Sequence, residues 1–249
     1  MSESVILCEG YFDRAFWAGW LKHLGCEDPS TRGPVNDALG RPVSQGQFMY
    51  RSKSEKYIRI VPCGGKPQVR EQARRQLGQR NMDPRLVRLV ITVDPDVNAH
   101  TSTEATGLTI QGVGNLAREY DPQAAETADR DIAIDSGERL VSLVRWEAED
   151  PPIAGVPSRQ TLERLVCAAI VAAYPDRGPA VDTWLQSRPD PPPVPNPKEP
   201  AWSYMAGWYA EAGCEAFYRV IWDDPTIRAQ LQARLTKFGA WRVAEVLAE

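Results

Sequence analysis

Histidine is scarce in this chain: His23 and His100 are the two among 249 residues. Cysteine is little commoner, and Cys8, Cys26, Cys63, Cys167 and Cys214 stand at wide intervals with no C-x-x-C pair among them. These shortages argue against a structural zinc site, whose thiolates and imidazoles come at close spacing, and the odd, scattered thiols argue against a disulfide framework. A bound metal would have to be held by oxygen, which points to Mg2+, Mn2+ or Ca2+. No apolar run reaches about 20 residues, the length of a membrane-spanning helix. The opening residues "MSESVILCEG" have no basic stretch and no cleavage-site pattern, so no secretory signal is expected and the expected location is the cytoplasm. A G-x-x-x-x-G-K-[ST] phosphate loop is missing as well, because "PCGGKP" has neither the length nor the hydroxyl.

What is there fits a soluble globular protein, 43% hydrophobic and 25% charged. The length allows one large domain, or an ordinary one with an extension. The net charge of -4 is unevenly spread. From Arg51 to Arg88 eleven basic residues face three acids, a net of +8 that leaves about -12 for the remainder. Such a segment is either a phosphate-binding surface or a solvated helix face carrying arginine for solubility.

Apolar runs and periodic stretches alternate along the first 175 residues. Residues 4–9 read as a strand, and Phe16, Trp17, Trp20, Leu21 and Leu24 form the apolar stripe of a helix from Phe12 to Leu24, with Gly25 as its C-cap. Residues 26–55 read as a long surface excursion with room for a small hairpin. Strand 57–62 ("YIRIVP"), the turn "CGGK" and helix 67–79 follow, then strand 86–93 ("LVRLVITV") and a helix ending near Tyr120. "DIAID" and "RLVSLVRW" read as strands around the turn "SGE", and Ser158 as the cap of a helix "RQTLERLVCAAIVAAY". The alternation predicts an α/β fold, a mostly parallel sheet flanked by helices. Residues 1–187 would form this domain, 188–200 ("RPDPPPVPNPKEP") a polyproline connector, and 201–249 a helical C-terminal region whose dense aromatics pack on the sheet.

The chemistry gathers at strand ends. The first strand ends at Glu9, followed by Gly10 and, four residues after the acid, Asp13; the strand "LVITV" runs into Asp94 and Asp96. If these strands are neighbours in a parallel sheet, their carboxylates converge on the edge where open α/β sheets bind ligands. Unpaired acids there would repel, and a divalent cation would relieve the repulsion. Each acid has a plainer reading beside this one. Asp13 suits a helix N-terminus, and Asp-Pro-Asp suits a turn.

"ILCEGYFDRAFW" and "VITVDPD" resemble the two acidic motifs of the TOPRIM domain of topoisomerases, primases, recombination-repair proteins and OLD-type nucleases. The resemblance spans about residues 4–175 and is strongest to small stand-alone OLD-like proteins, through "E-G-x-x-D" before a helix and "G-G-K" after the second strand. It implies a TOPRIM-like, Rossmann-like sheet with Asp94 and Asp96 binding Mg2+ or Mn2+. Glu9 would be a metal ligand or general acid/base, and Asp13 would help hold a second metal. The same resemblance picks out Glu163, in "L-E", as a further ligand, and Lys198 as a cation that neutralises developing charge. Lys66 would contact phosphate, and with Arg70 and Arg74 would hold nucleic acid. The sequence departs from the family in having Asn98 where many relatives carry a third acid, and no topoisomerase tyrosine is identifiable.

The expected function is therefore Mg2+-dependent phosphodiester processing, a nuclease on DNA or RNA. The alternative is a non-catalytic nucleic-acid or partner-binding module, such as the effector of a multi-gene phage-defense system with an ATPase partner; a homo-oligomer fits either. A nucleotide enzyme built on "GVGNLA" (Gly112, Gly114, Ala117) would need a strand before the glycines and a helix starting at them.

Overall fold

The computed structural model describes residues 2–28, 42–43, 46–78, 85–96, 108–153, 159–187, 203–206 and 214–249. Its centre is a run of buried, largely β-branched strands. β1 (Glu3–Cys8) is buried along its whole length and β4 (Leu86–Val93) along nearly all of it, as strands covered on both faces must be. Between them and outward lie β2 (Phe48–Arg51), β3 (Tyr57–Pro62), β5 (Ala125–Glu126), β6 (Ile132–Ile134) and β7 (Arg139–Arg145). The sheet order is β2-β3-β1-β4-β7-β6-β5. Its four central strands β3, β1, β4 and β7 are parallel, with Ile6 opposite both Ile60 and Val90. The pairs β2–β3, β6–β7 and β5–β6 at the edges are antiparallel. The expected α/β architecture is thus present.

Eight α-helices are described: α1 (Tyr11–His23), α2 (Lys66–Gly78), α3 (Ile110–Arg118), α4 (Leu162–Ala173), α5 (Arg177–Ser187), α6 (Cys214–Val220), α7 (Pro225–Lys237) and α8 (Ala240–Ala248). None is long and apolar enough to cross a membrane. The period-two alternation of the strands sends Val5, Leu7, Leu89, Ile91 and Val93 to one face, against Val69, Ala73 and Leu77 of α2 and Val113, Leu116 and Ala117 of α3. Ile6, Cys8, Ile58, Ile60, Val90 and Val144 face the other way, toward α1, α4 and the C-terminal helices. There the aromatics of α1 and the C-terminal region interlock: Trp20 stacks on Trp17 at 4.8 Å and on Trp222 at 5.3 Å. Phe217, Tyr218, Trp222 and Trp241 are all buried, so these aromatics are core.

Several local expectations change. The excursion 26–55 contains the edge strand β2, tied down further by a bridge between Glu27 and Arg51. α1 ends in a paired cap, Cys26 N–H to Leu21 and Gly25 N–H to Lys22, so Leu24 is the cap and Gly25 the residue beyond it. The cap of α4 is Thr161, whose hydroxyl accepts from Arg164 N–H at 3.2 Å; Ser158 lies outside the described residues. The last helical stretch is two helices, parted at Gly239. Gly112 and Gly114 sit inside α3, whose cap is Thr109, so "GVGNLA" is helix interior and not a phosphate turn.

The basic segment is also not one surface. Arg88 is buried in the sheet, donating to Asp131 at 2.9 Å and Ser142 at 2.6 Å, and Arg59 pairs with buried Glu3 at 2.5 Å. One further buried polar contact is a direct handle on this core: Trp17 Nε1 donates to Thr92 Oγ1 at 3.1 Å. Thr92→Val keeps the shape and strands the indole N–H, so it is expected to cost about 1–3 kcal/mol in denaturant unfolding.

Candidate functional site at the carboxyl ends of the parallel strands

The chain leaves β1, β3 and β4 at one edge of the sheet. There Glu9, Asp13, Asp94 and Glu163 line an open cleft of about 370 Å³, together with Gly10, Tyr11, Phe12, Gly65 and Leu162. Of the acids expected to gather, Glu9, Asp13, Asp94 and Glu163 do so, and the N-termini of α1, α2 and α4 adjoin the cleft with them.

Backbone geometry fixes each acid. The Glu9 carbonyl accepts N–H bonds from Gly64 at 2.8 Å and Gly65 at 2.9 Å. That turn needs φ of +86° and +115° at the two glycines, a region L side chains rarely adopt. The "GG" of "CGGK" thus permits a close approach, but to the Glu9 backbone, and both N–H groups are spent there. Glu9 Oε1 accepts from Asp94 N–H at 2.7 Å, and Asp94 Oδ1 accepts from Leu162 N–H at 2.8 Å, the first turn of α4. Asp13 Oδ2 reaches back to Gly10 N–H at 3.1 Å, the plainer helix-terminus role, while Oδ1 accepts from Trp146 Nε1 at 2.6 Å. Trp146 just beyond β7 was not among the residues singled out from the sequence. Its only sequence signal is its place at the end of "RLVSLVRW".

The acids pay an electrostatic penalty for this company. Burial pushes the Glu9 carboxyl up to about 7, with the Asp94 N–H and Lys66 opposing the shift and Asp13 and Asp96 adding to it. Burial likewise raises Asp13 to about 6, against its bonds from Trp146 and Gly10 and with Glu163 adding. Asp94 is raised well above the usual carboxylate range, first by burial and then by the charges of Asp13, Glu163 and Glu9. Trp146→Phe removes the bond that favours ionised Asp13. The Asp13 carboxyl should then titrate at higher pH than about 6, readable by carboxyl-carbon NMR.

Asp96 stands apart. It takes a left-handed φ of 56°, donates its N–H to Gln160 O at 3.1 Å and pairs through its carboxylate with Lys66. Lys66 Nζ lies 3.9 Å from Glu9 Oε1, so the D-x-D pair splits, Asp94 into the cleft and Asp96 to the lysine at its rim. Arg70 is exposed on α2, and Arg74 turns to Glu119 at 3.4 Å. Glu147, Glu149 and Asp150 pair with Arg145, Lys237 and Arg234, so the latter two hold α7. Lys198 and Asn98 lie outside the described residues.

The donor set is all oxygen, which suits a hard divalent cation. Among the described residues, no three His, Cys, Asp or Glu side chains are already placed to close around one ion.

No protein-family model matches the chain, and no curated protein matches it. Among solved structures it is similar to the crystal structure of a hypothetical protein from Pyrococcus horikoshii OT3, with a TM-score of 0.70 over 100% of both chains at 14% identity. At that identity the likeness establishes a shared fold, a mostly parallel α/β sheet with flanking helices.

Proposed function

We propose that the protein is a Mg2+- or Mn2+-dependent phosphodiester-processing enzyme, a nuclease acting on DNA or RNA, with a TOPRIM-like site. The observation that carries this reading is the gathering of Glu9, Asp13, Asp94 and Glu163 in one cleft at the carboxyl edge of the parallel strands. Buried acids that raise one another's pKa are costly to keep unless a cation or a proton compensates them. Asp94, with Asp13 or Glu163, would hold the cation. When bound, it would supply an activated water and neutralise charge on the phosphate oxygens. Glu9, beside those acids and raised by burial, would take or give a proton at the reacting oxygen. Lys66, one salt bridge away from Glu9, would meet a phosphate by exchanging Asp96 for it.

A second reading, a non-catalytic nucleic-acid or partner-binding module, is favoured by the lack of a preformed three-ligand group among the described residues. Calorimetric titration of Mg2+ and Mn2+, with plasmid nicking on the same samples, separates the two. The nuclease reading expects binding and nicking in the wild type and neither in Asp94→Asn. Nucleic-acid binding without metal uptake or nicking would overturn it in favour of the module.

A further inference from the structure

Tyr11 is the first residue of α1, two residues after Glu9, and it lines the acidic cleft. It is 58% exposed and, with Trp184 and Tyr174, one of three exposed large aromatics among the described residues, the one of them that lines this cleft. Its ring is not left loose. The Arg14 guanidinium lies over it, 4.7 Å from the ring centroid, and the same guanidinium lies 4.0 Å from the centroid of Phe48. Arg219 lies over Phe48 in turn, at 5.6 Å. Arg14 is pinned by Glu215 and by the Gly46 carbonyl. The Arg14 guanidinium therefore contacts both the half-buried Phe48 ring and the exposed Tyr11 ring beside the carboxylates. A cation over a ring that is more than half exposed makes a surface on which a flat group can stack.

We propose that Tyr11 is a stacking platform for a nucleobase, and that the cleft takes single-stranded nucleic acid with one base laid on this ring. The inference rests on the nucleic-acid reading above and deepens it. In a duplex both faces of every base are covered by neighbouring bases, so only an unstacked base can offer a face to Tyr11. Base–aromatic stacking tolerates any base, so Tyr11 selects strandedness rather than sequence. A cation held by the carboxylates of the same cleft would then meet the phosphate beside the stacked base.

The test is a binding cycle that needs no turnover. Fluorescence anisotropy would follow a labelled four-nucleotide dT strand, and an abasic strand of the same length, on the full chain with Ca2+ in place of Mg2+. The wild type is expected to bind the dT strand about tenfold to a hundredfold more tightly than the abasic strand, the effect of one stack. Tyr11→Ala should bind both strands alike, at the wild-type affinity for the abasic strand, and Tyr11→Trp should restore the preference. Equal discrimination by wild type and Tyr11→Ala would overturn the proposal, as would failure of the wild type to bind either strand. Loss of nicking in Asp94→Asn alongside a flat Tyr11 cycle would overturn this inference alone. A positive cycle with no nicking by the wild type would uphold Tyr11 and count against the nuclease.

Discussion

Asp94→Asn is expected to melt at a higher temperature than the wild type at pH 8 in chelator, while losing metal-dependent cleavage by about a hundredfold to a thousandfold or more. Asparagine keeps an oxygen for the Leu162 N–H bond but cannot take up the charge that burial, Asp13, Glu163 and Glu9 all oppose. Glu9, Asp13 and Asp94 each hold their protons to higher pH in the folded chain than in the unfolded one. The native state therefore binds more protons between the unfolded carboxylate value of about 4 and the folded values. The stability these groups contribute is full below about 4 and is lost as pH rises through about 6 for Asp13 and about 7 for Glu9. The variant should flatten part of that fall. Each 1 kcal/mol recovered would appear as about 2–4 °C in Tm for a chain of this size. Mg2+ or Mn2+ should raise the wild-type Tm at pH 8, raise it much less at pH 5.5 where protons compete, and leave Asp94→Asn unmoved. Thermal scans across pH with and without metal make the comparison. A lower Tm for the variant in chelator would mean that the carboxylate is structural.

Gly19→Ala should be among the most damaging single-methyl changes in the protein. A Cβ there would lie 2.3 Å from the Arg219 carbonyl oxygen and 2.5 Å from Trp222 Cδ1. The first obstacle is backbone and cannot rotate away, so α1 and the C-terminal helices must separate. The helix-propensity gain of alanine, about 1 kcal/mol, works the other way. A net loss of about 3 kcal/mol is expected, at the upper end of overpacking costs. Loss of near-ultraviolet dichroism from the Trp17–Trp20–Trp222 stack should accompany it. Gly114→Ala in α3 is the control, because its Cβ would find only ordinary contacts of 3.6 Å and beyond. It should be neutral or stabilising by up to about 1 kcal/mol. Equal stability of both variants would mean that the C-terminal helices do not seat on α1 this closely.

Much of this architecture was written in local pattern. Strands 57–62 and 86–93 coincide with β3 and β4, because continuous β-branched runs bounded by turns leave a chain few other choices. Glu9 and Asp94 were legible for a related reason: a charge at the end of a buried strand is expensive, so it draws attention without any partner being known. The edge strand β2 was not legible. Four residues paired on one side carry little periodic signal, and their partner β3 supplies the reason for extended structure.

The sequence by itself determined the alternation of strands and helices, the burial of the central strands, and the presence of acids at the ends of β1 and β4. These depend on spacing along the chain, which needs no knowledge of what lies across from it. Only the tertiary structure decided which acids meet. Trp146 reaches Asp13 across 133 residues, and Glu163 joins the cleft because α4 begins on the Asp94 carboxylate. The same three-dimensional accounting removed Asp96 to Lys66, sank Arg88 into the sheet, and left Tyr11 open beside the cleft. Hydrogen bonds and ion pairs are satisfied by whatever the fold brings near, and proximity between distant residues is a property of packing, not of the order in which they occur.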